Sequence, residues 1–195
     1  MDLCARIGTH DDVGADAELT LGMVETLYTH PERAYHNVDH VGAVLGVFDG
    51  VRMLAEDREA VEFALWMHDC VFDAARPDNE ARSADASGMI AALLGARPGF
   101  AERVRGLILA TRHERMSPGG DAGVVSDVDL SILGAPWEDY VAYRDAIRAE
   151  FSFAPAEQFA HGRHAFLERM LDREHIYATG HFRAEYEARA RNNLD

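Results

Sequence analysis

Apolar residues recur at three- and four-residue spacing along most of this chain, with almost no period-two alternation to compete with them. That spacing gathers apolar side chains on one face of a helix, so the expected fold is all-α, a single helical bundle of eight or nine helices over residues 1–195. Helices are expected over 17–29, 38–55, 58–71, 79–95, 98–112, 121–133, 137–151, 156–171 and 182–193. Asn37 is placed to cap the second of these and Pro98 to open the fifth, while Gly95 and Gly134 follow apolar runs that they can terminate. Only VVSDVDLSIL, Val124 to Leu133, has enough Val and Ile for a strand to compete, and it is read as helix.

Composition narrows the function classes. The 195 residues carry 19 Lys+Arg against 34 Asp+Glu, a formal charge of −15, and nucleic-acid polymers bind through the opposite excess. A hydrophobic content of 48% with only six prolines and sixteen glycines excludes disorder and collagen-like repeats. The start, MDLCARIGTHDDVGAD, has neither a basic nor an apolar leader region, and no run of apolar residues is long enough to cross a membrane, so a soluble cytoplasmic protein is expected. Cys4 and Cys70 make no disulfide framework, and Cys70 is expected to pack.

Charges fall where burial is expected. VEFALWM, Val61 to Met67, is apolar nearly all round, which marks a helix buried on most sides, and His68 and Asp69 follow it directly. A carboxylate there must be paired, hydrogen-bonded or bound to a metal. In GVVSDVDLSILG two aspartates interrupt an apolar run. At about 100° per residue, the mean apolar direction lies roughly 60° from Asp129 and roughly 140° from Asp127, so Asp129 points inward and Asp127 outward.

The third element is RAYHNVDH, Arg33 to His40, whose histidines His36 and His40 are four apart and can address one site. Histidine is both the commonest transition-metal ligand and the side chain that titrates nearest neutral pH. His40, His68, Asp69 and Asp129 together offer two imidazoles and two carboxylates from three helices. Such a set suits one divalent ion of manganese, iron, cobalt, nickel or zinc better than calcium, with magnesium also accommodated.

In this order the elements resemble the HD superfamily, named for an adjacent His-Asp pair within an H…HD…D metal set. The chain is similar to its metal-dependent phosphohydrolase branch at RAYHNVDH, at HDCVFD (His68 to Asp73), at DNEARSA (Asp78 to Ala84) and at DVDLSILG (Asp127 to Gly134). Similarity continues at YRDAIRAE (Tyr143 to Glu150) and at Gly162-Arg163, followed by Leu167 and Leu171. The resemblance implies His40, His68, Asp69 and Asp129 as metal ligands and leaves His36 free to protonate a leaving oxygen. It implies hydrolysis of a phosphate monoester of a small molecule, a nucleotide foremost; the acidic charge and the lack of a long apolar run add that no nucleic-acid polymer or membrane is expected as partner, and a homodimer is an allowed assembly.

The chemistry assigns roles to other residues. Arg33, Arg144, Arg148 and Arg163 are candidates to grip phosphate. Arg33 leads because it lies three residues from His36, whereas Arg144 and Arg148 suit a solvated helix face as well, and Arg163 suits a structural ion pair. Asp73 and Glu80 flank the loop after the HD pair and are candidates to orient the attacking water. Asp78, Asn79 and Glu80 equally read as a helix cap with an acidic first turn. His113 falls near an expected helix end. Trp137, Tyr140 and Tyr143 are available for a nucleobase to stack on, although such residues usually pack in a core. The resemblance also admits a di-iron oxygenase, which needs two more histidines between the HD pair and the last aspartate. That interval contains only His113.

Overall fold

The computed structural model describes residue 22 and residues 24–195. It is all-helical, with no β-strand among the described residues. The helices are α1 (Val38–Val51), α2 (Arg58–Met67), α3 (Asn79–Leu93), α4 (Phe100–Leu109), α5 (Gly120–Asp129), α6 (Trp137–Glu150), α7 (Ala156–Leu171), α8 (Gly180–Glu185) and α9 (Glu187–Leu194). Residues 24–27 are helical as well, and the rest of the helix expected over 17–29 lies mostly outside the described residues, as does Cys4.

Expected and observed elements agree in type and differ at their ends. Three helices close in 3-10 turns, Arg52–Leu54, Ala110–Arg112 and Leu130–Gly134, where a continuous α-helix was expected. The helix expected over 58–71 stops at Met67, and that expected over 182–193 is divided at Tyr186. Asn37 caps α1, its side chain accepting from Asp39 N and His40 N. Gly95, at φ +62°, takes the left-handed conformation that ends α3, whereas the fifth expected helix opens at Phe100 behind Gly99 rather than at Pro98.

Helix α2 is the centre of the bundle, packing against α1, α3, α4 and α5. Ala60, Val61, Ala64, Leu65 and Met67 have no exposed surface, as an all-apolar helix requires. Its start is pinned by carboxylates: Asp57 accepts from Ala60 N, and Asp121 accepts from the backbone N–H groups of Glu56 and Asp57 at 2.7 and 3.0 Å. Its end therefore carries His68 and Asp69 into the interior at a defined height. Cys70 is buried there, as expected of a packing residue, and burial pushes its thiol up to about 11.

The C-terminal segment fixes the chain just beyond α5. Tyr177 Oη donates to Leu130 O, Asn193 Nδ2 to Leu133 O and Ala135 O, and Arg189 Nε to Gly134 O. At Gly134 the approach is closest, since a Cβ would stand 2.8 Å from Tyr186 O. No helix among the described residues is long and apolar enough to cross a membrane.

Candidate metal centre

His40 projects from the first turn of α1, His68 and Asp69 follow the last residue of α2, and Asp129 ends α5. Their donor atoms converge. His40 Nε2 is 3.1 Å from His68 Nε2 and 3.6 Å from Asp69 Oδ2, and His68 Nε2 is 3.0 Å from Asp69 Oδ2. Asp129 Oδ1 closes on both rings, 3.5 Å from each Nε2. Metal–ligand bonds of about 2.0–2.2 Å put neighbouring donors roughly 2.8–3.6 Å apart, so the separations among His40, His68 and Asp69, whose donors all lie within 4.8 Å of one another, fit one ion, with Asp129 approaching from the histidine side. His68 Nδ1–H donates to Leu65 O at 2.8 Å, which leaves the Nε2 lone pair for the cluster.

The electrostatics point the same way. Burial opposes ionisation of Asp69 and Asp129, yet the neighbouring His68 outweighs it and holds both carboxyls below their ordinary range. Burial also disfavours charge on His40 and lowers its pKa, whereas Asp69 and Asp129 overcome burial at His68 and raise it. A buried and a half-buried carboxylate, Asp69 and Asp129, facing two imidazoles form a site that attracts a cation.

Around this cluster sits a ring of supporting contacts. His113, the C-terminal neighbour of the 110–112 turn, adopts a left-handed φ of 51°. Its Nε2 lies 2.8 Å from Asp129 Oδ2, its Nδ1 lies 3.3 Å from Ser126 Oγ, and its carbonyl accepts from Arg173. His113 thus orients the outer oxygen of Asp129. Arg33 donates to His36 O, Asp69 O and Cys70 O at 2.8, 2.7 and 3.2 Å, tying the start of α1 to the end of α2.

His36 is held apart from the cluster. Its Nδ1 lies 2.7 Å from Glu150 Oε2, and its ring stacks on Phe72 with centres 4.1 Å apart. Glu150 Oε1 accepts the backbone N–H of both Tyr35 and His36 at 2.8 Å. Burial disfavours the charged imidazole, but Asp69 and Glu150 overcome it and raise the His36 pKa. Burial raises the pKa of the Glu150 carboxyl, but His36 outweighs it and brings the carboxyl below its ordinary value. Nδ1 is committed to Glu150, so Nε2 is the nitrogen left for the cavity that His36 lines.

That cavity, about 740 Å³, has His36, Asp69, Glu80, His113 and Asp129 in its wall. Burial raises the pKa of Glu80 above that of an ordinary carboxyl. The arginines in the wall are Arg112 and Arg163. Arg33 does not line it, because its donors are taken by backbone carbonyls. Arg144 pairs with Asp145, and Arg148 donates to Phe151 O and Ala154 O, so neither faces the cavity. Asp73 is exposed, accepts from Ala75 N and lies outside the lining. Asp78 pairs with Arg76, and its side chain caps nothing. Among the aromatic candidates, Tyr140 is buried, Trp137 is exposed, and Tyr143 lines the cavity.

One expectation is reversed. Asp127 is not outward but 1% exposed, and its two oxygens accept from Ala178 N and Thr179 N at 2.7 Å each. Helical phase correctly turned it away from Asp129, but a second layer of chain covers the face on which it lies. Glu150 and Arg112 were not anticipated as site residues. For Glu150 the signal was present, because Tyr140, Tyr143, Ile147 and Glu150 form one buried stripe at helical spacing. No protein-family model, curated protein or solved structure matches the chain.

Proposed function

We propose that the chain is a metal-dependent phosphohydrolase that cleaves a phosphate monoester of a small molecule, with nucleotides as the foremost substrate class. The observation that carries this reading is the convergence of donors from His40, His68, Asp69 and Asp129, where Asp69 and Asp129 enter the wall of a cavity that His36, backed by the buried Glu150, also lines. The resemblance of the same residues to the HD superfamily adds to it. A divalent ion held there supplies a more acidic water and neutralises charge on the phosphate oxygens.

The chain's own groups do the rest. His36, whose protonated form Asp69 and Glu150 favour, gives its Nε2 proton to the departing oxygen, a step that matters most for a poor leaving group such as an alkoxide. Glu80 holds the attacking water by accepting a hydrogen bond. Arg112, beside Glu80 in the cavity wall, pairs with phosphate oxygens. Partial burial of Asp69 and Asp129 limits the water that would screen their charge.

Metal analysis of protein purified without chelators, followed by phosphate-release assays on nucleoside monophosphates and nitrophenyl phosphate, tests the reading. About one divalent ion per chain with metal-dependent phosphate release is the expected result. Two irons per chain with oxygen consumption would replace it by the di-iron oxygenase. Absence of any hydrolysis by metal-loaded protein would leave a nucleotide-binding module.

A further inference from the structure

The cavity is larger than a phosphate group needs, and part of its wall has a chemistry of its own. Its 740 Å³ lies in the range that encloses a whole small-molecule ligand. Leu133, Ile147, Phe151, Phe159 and Phe166 make that part apolar. Arg163 stands among them, its guanidinium carbon 5.0 Å from the Tyr143 ring centre and 5.1 Å from that of Phe166. Nη1 donates to Tyr143 Oη at 2.8 Å, while Nη2 is buried with no hydrogen-bond partner. Leaving a buried donor unmade is costly, and such a group calls for something that completes it.

The metal cluster lies close by without sharing these residues. Tyr143 meets Tyr35 with ring centres 4.7 Å apart, and Tyr35 lies 4.6 Å from the His40 ring, so two aromatic rings stand between Arg163 and the donors.

Building on the hydrolase reading, we infer that Arg163 and the aromatic side chains around it form the subsite for the group released from phosphate. That group carries a planar heteroaromatic ring with a carbonyl on its edge, as a nucleobase does. The apolar wall takes the faces of such a ring, and the Arg163 guanidinium, turning its unpartnered Nη2 toward the cavity, donates to its edge carbonyl. Arg163 is then a specificity residue and not a phosphate ligand. A second phosphate suits the place poorly, because it would lose its water against phenyl rings and meet one unpaired nitrogen instead of a cluster of donors.

The test compares the metal-loaded protein with R163M, which keeps an unbranched apolar stem and loses the donors, and R163Q, which keeps an amide donor. kcat/KM is measured on inosine 5′-monophosphate, uridine 5′-monophosphate and ribose 5-phosphate, and binding of the nucleosides inosine and uridine is measured by calorimetry. Wild type should prefer at least one nucleotide to ribose 5-phosphate. R163M should lower kcat/KM on that nucleotide by about 10- to 100-fold and leave ribose 5-phosphate unchanged, with R163Q recovering part of the loss. Equal losses on all three esters would make Arg163 a phosphate ligand and overturn the inference, as would nucleotides no better than ribose 5-phosphate. Nucleoside binding separates the subsite from the reaction: binding that weakens in R163M without hydrolysis of any ester sinks the hydrolase and keeps the subsite. Hydrolysis with no nucleoside bound does the reverse, and this wild-type measurement decides the matter even if both variants unfold.

Discussion

His36 Nδ1 and Glu150 Oε2 lie 2.7 Å apart although 114 residues of chain separate them. Both oxygens of that carboxylate serve one short segment, since Oε1 takes the backbone N–H groups of Tyr35 and His36. Glu150→Gln keeps the shape but loses the charge that favours protonated His36. Turnover on nucleoside monophosphates should fall at least about 10-fold with the metal retained, and stability should fall by about 1–3 kcal/mol. Steady-state kinetics, metal analysis and urea melts check the three parts.

His36→Ala should leave metal content unchanged and lower turnover by roughly 10² to 10⁴. The loss should follow the leaving group. A ribose oxygen needs the proton, whereas nitrophenolate departs without it, so nucleoside monophosphates should suffer far more than nitrophenyl phosphate. Equal impairment on both would reduce His36 to a substrate-positioning role.

Removing the ion should destabilise the fold as well as silence it. Without it, Asp69 and Asp129 face the two imidazoles with no metal charge between them, so dialysis against a chelator should lower Tm and manganese or zinc should restore it. His40→Ala, His68→Ala, Asp69→Ala and Asp129→Ala should each lose the ion. His113→Ala, which frees only the outer oxygen of Asp129, should weaken metal affinity by about 10- to 100-fold without abolishing it.

Asp127 and Asp129 should separate cleanly. Asp129→Asn is expected to lose metal and keep most of the fold. Asp127→Ala strands the part-buried N–H groups of Ala178 and Thr179, so about 1–3 kcal/mol of stability should go in all while the folded fraction still binds metal. Paired metal titrations and thermal melts of the two variants distinguish these outcomes, and equal metal loss in both folded variants would contradict them.

Gly134→Ala is a test of how the C-terminal segment supports the site. The added methyl would meet Tyr186 O and Cβ at 2.8 and 2.9 Å, both too close, and the turn after Asp129 would have to shift. A cost of about 1–3 kcal/mol is expected from overpacking, together with weaker metal binding. A variant with unchanged Tm would show that this contact yields easily.

Helical type, the buried course of α2 and the inward phase of Asp129 follow from local pattern, because apolar spacing and residue phase are properties of neighbouring positions. The candidate ligands were legible for the same reason: a carboxylate or imidazole inside an apolar run is a conflict visible within a few residues. Pairings between distant segments were not. Arg33 looked like a phosphate ligand from its distance to His36, but the carbonyls of Asp69 and Cys70, 36 and 37 residues away, take up its donors. Asp127 looked exposed until the chain at Ala178 and Thr179 covered it, and Arg112 gained its place only when the 110–112 turn reached the cavity. Pattern records which face a side chain occupies, whereas its hydrogen-bond partners are set by tertiary packing, which brings together groups that no local rule relates.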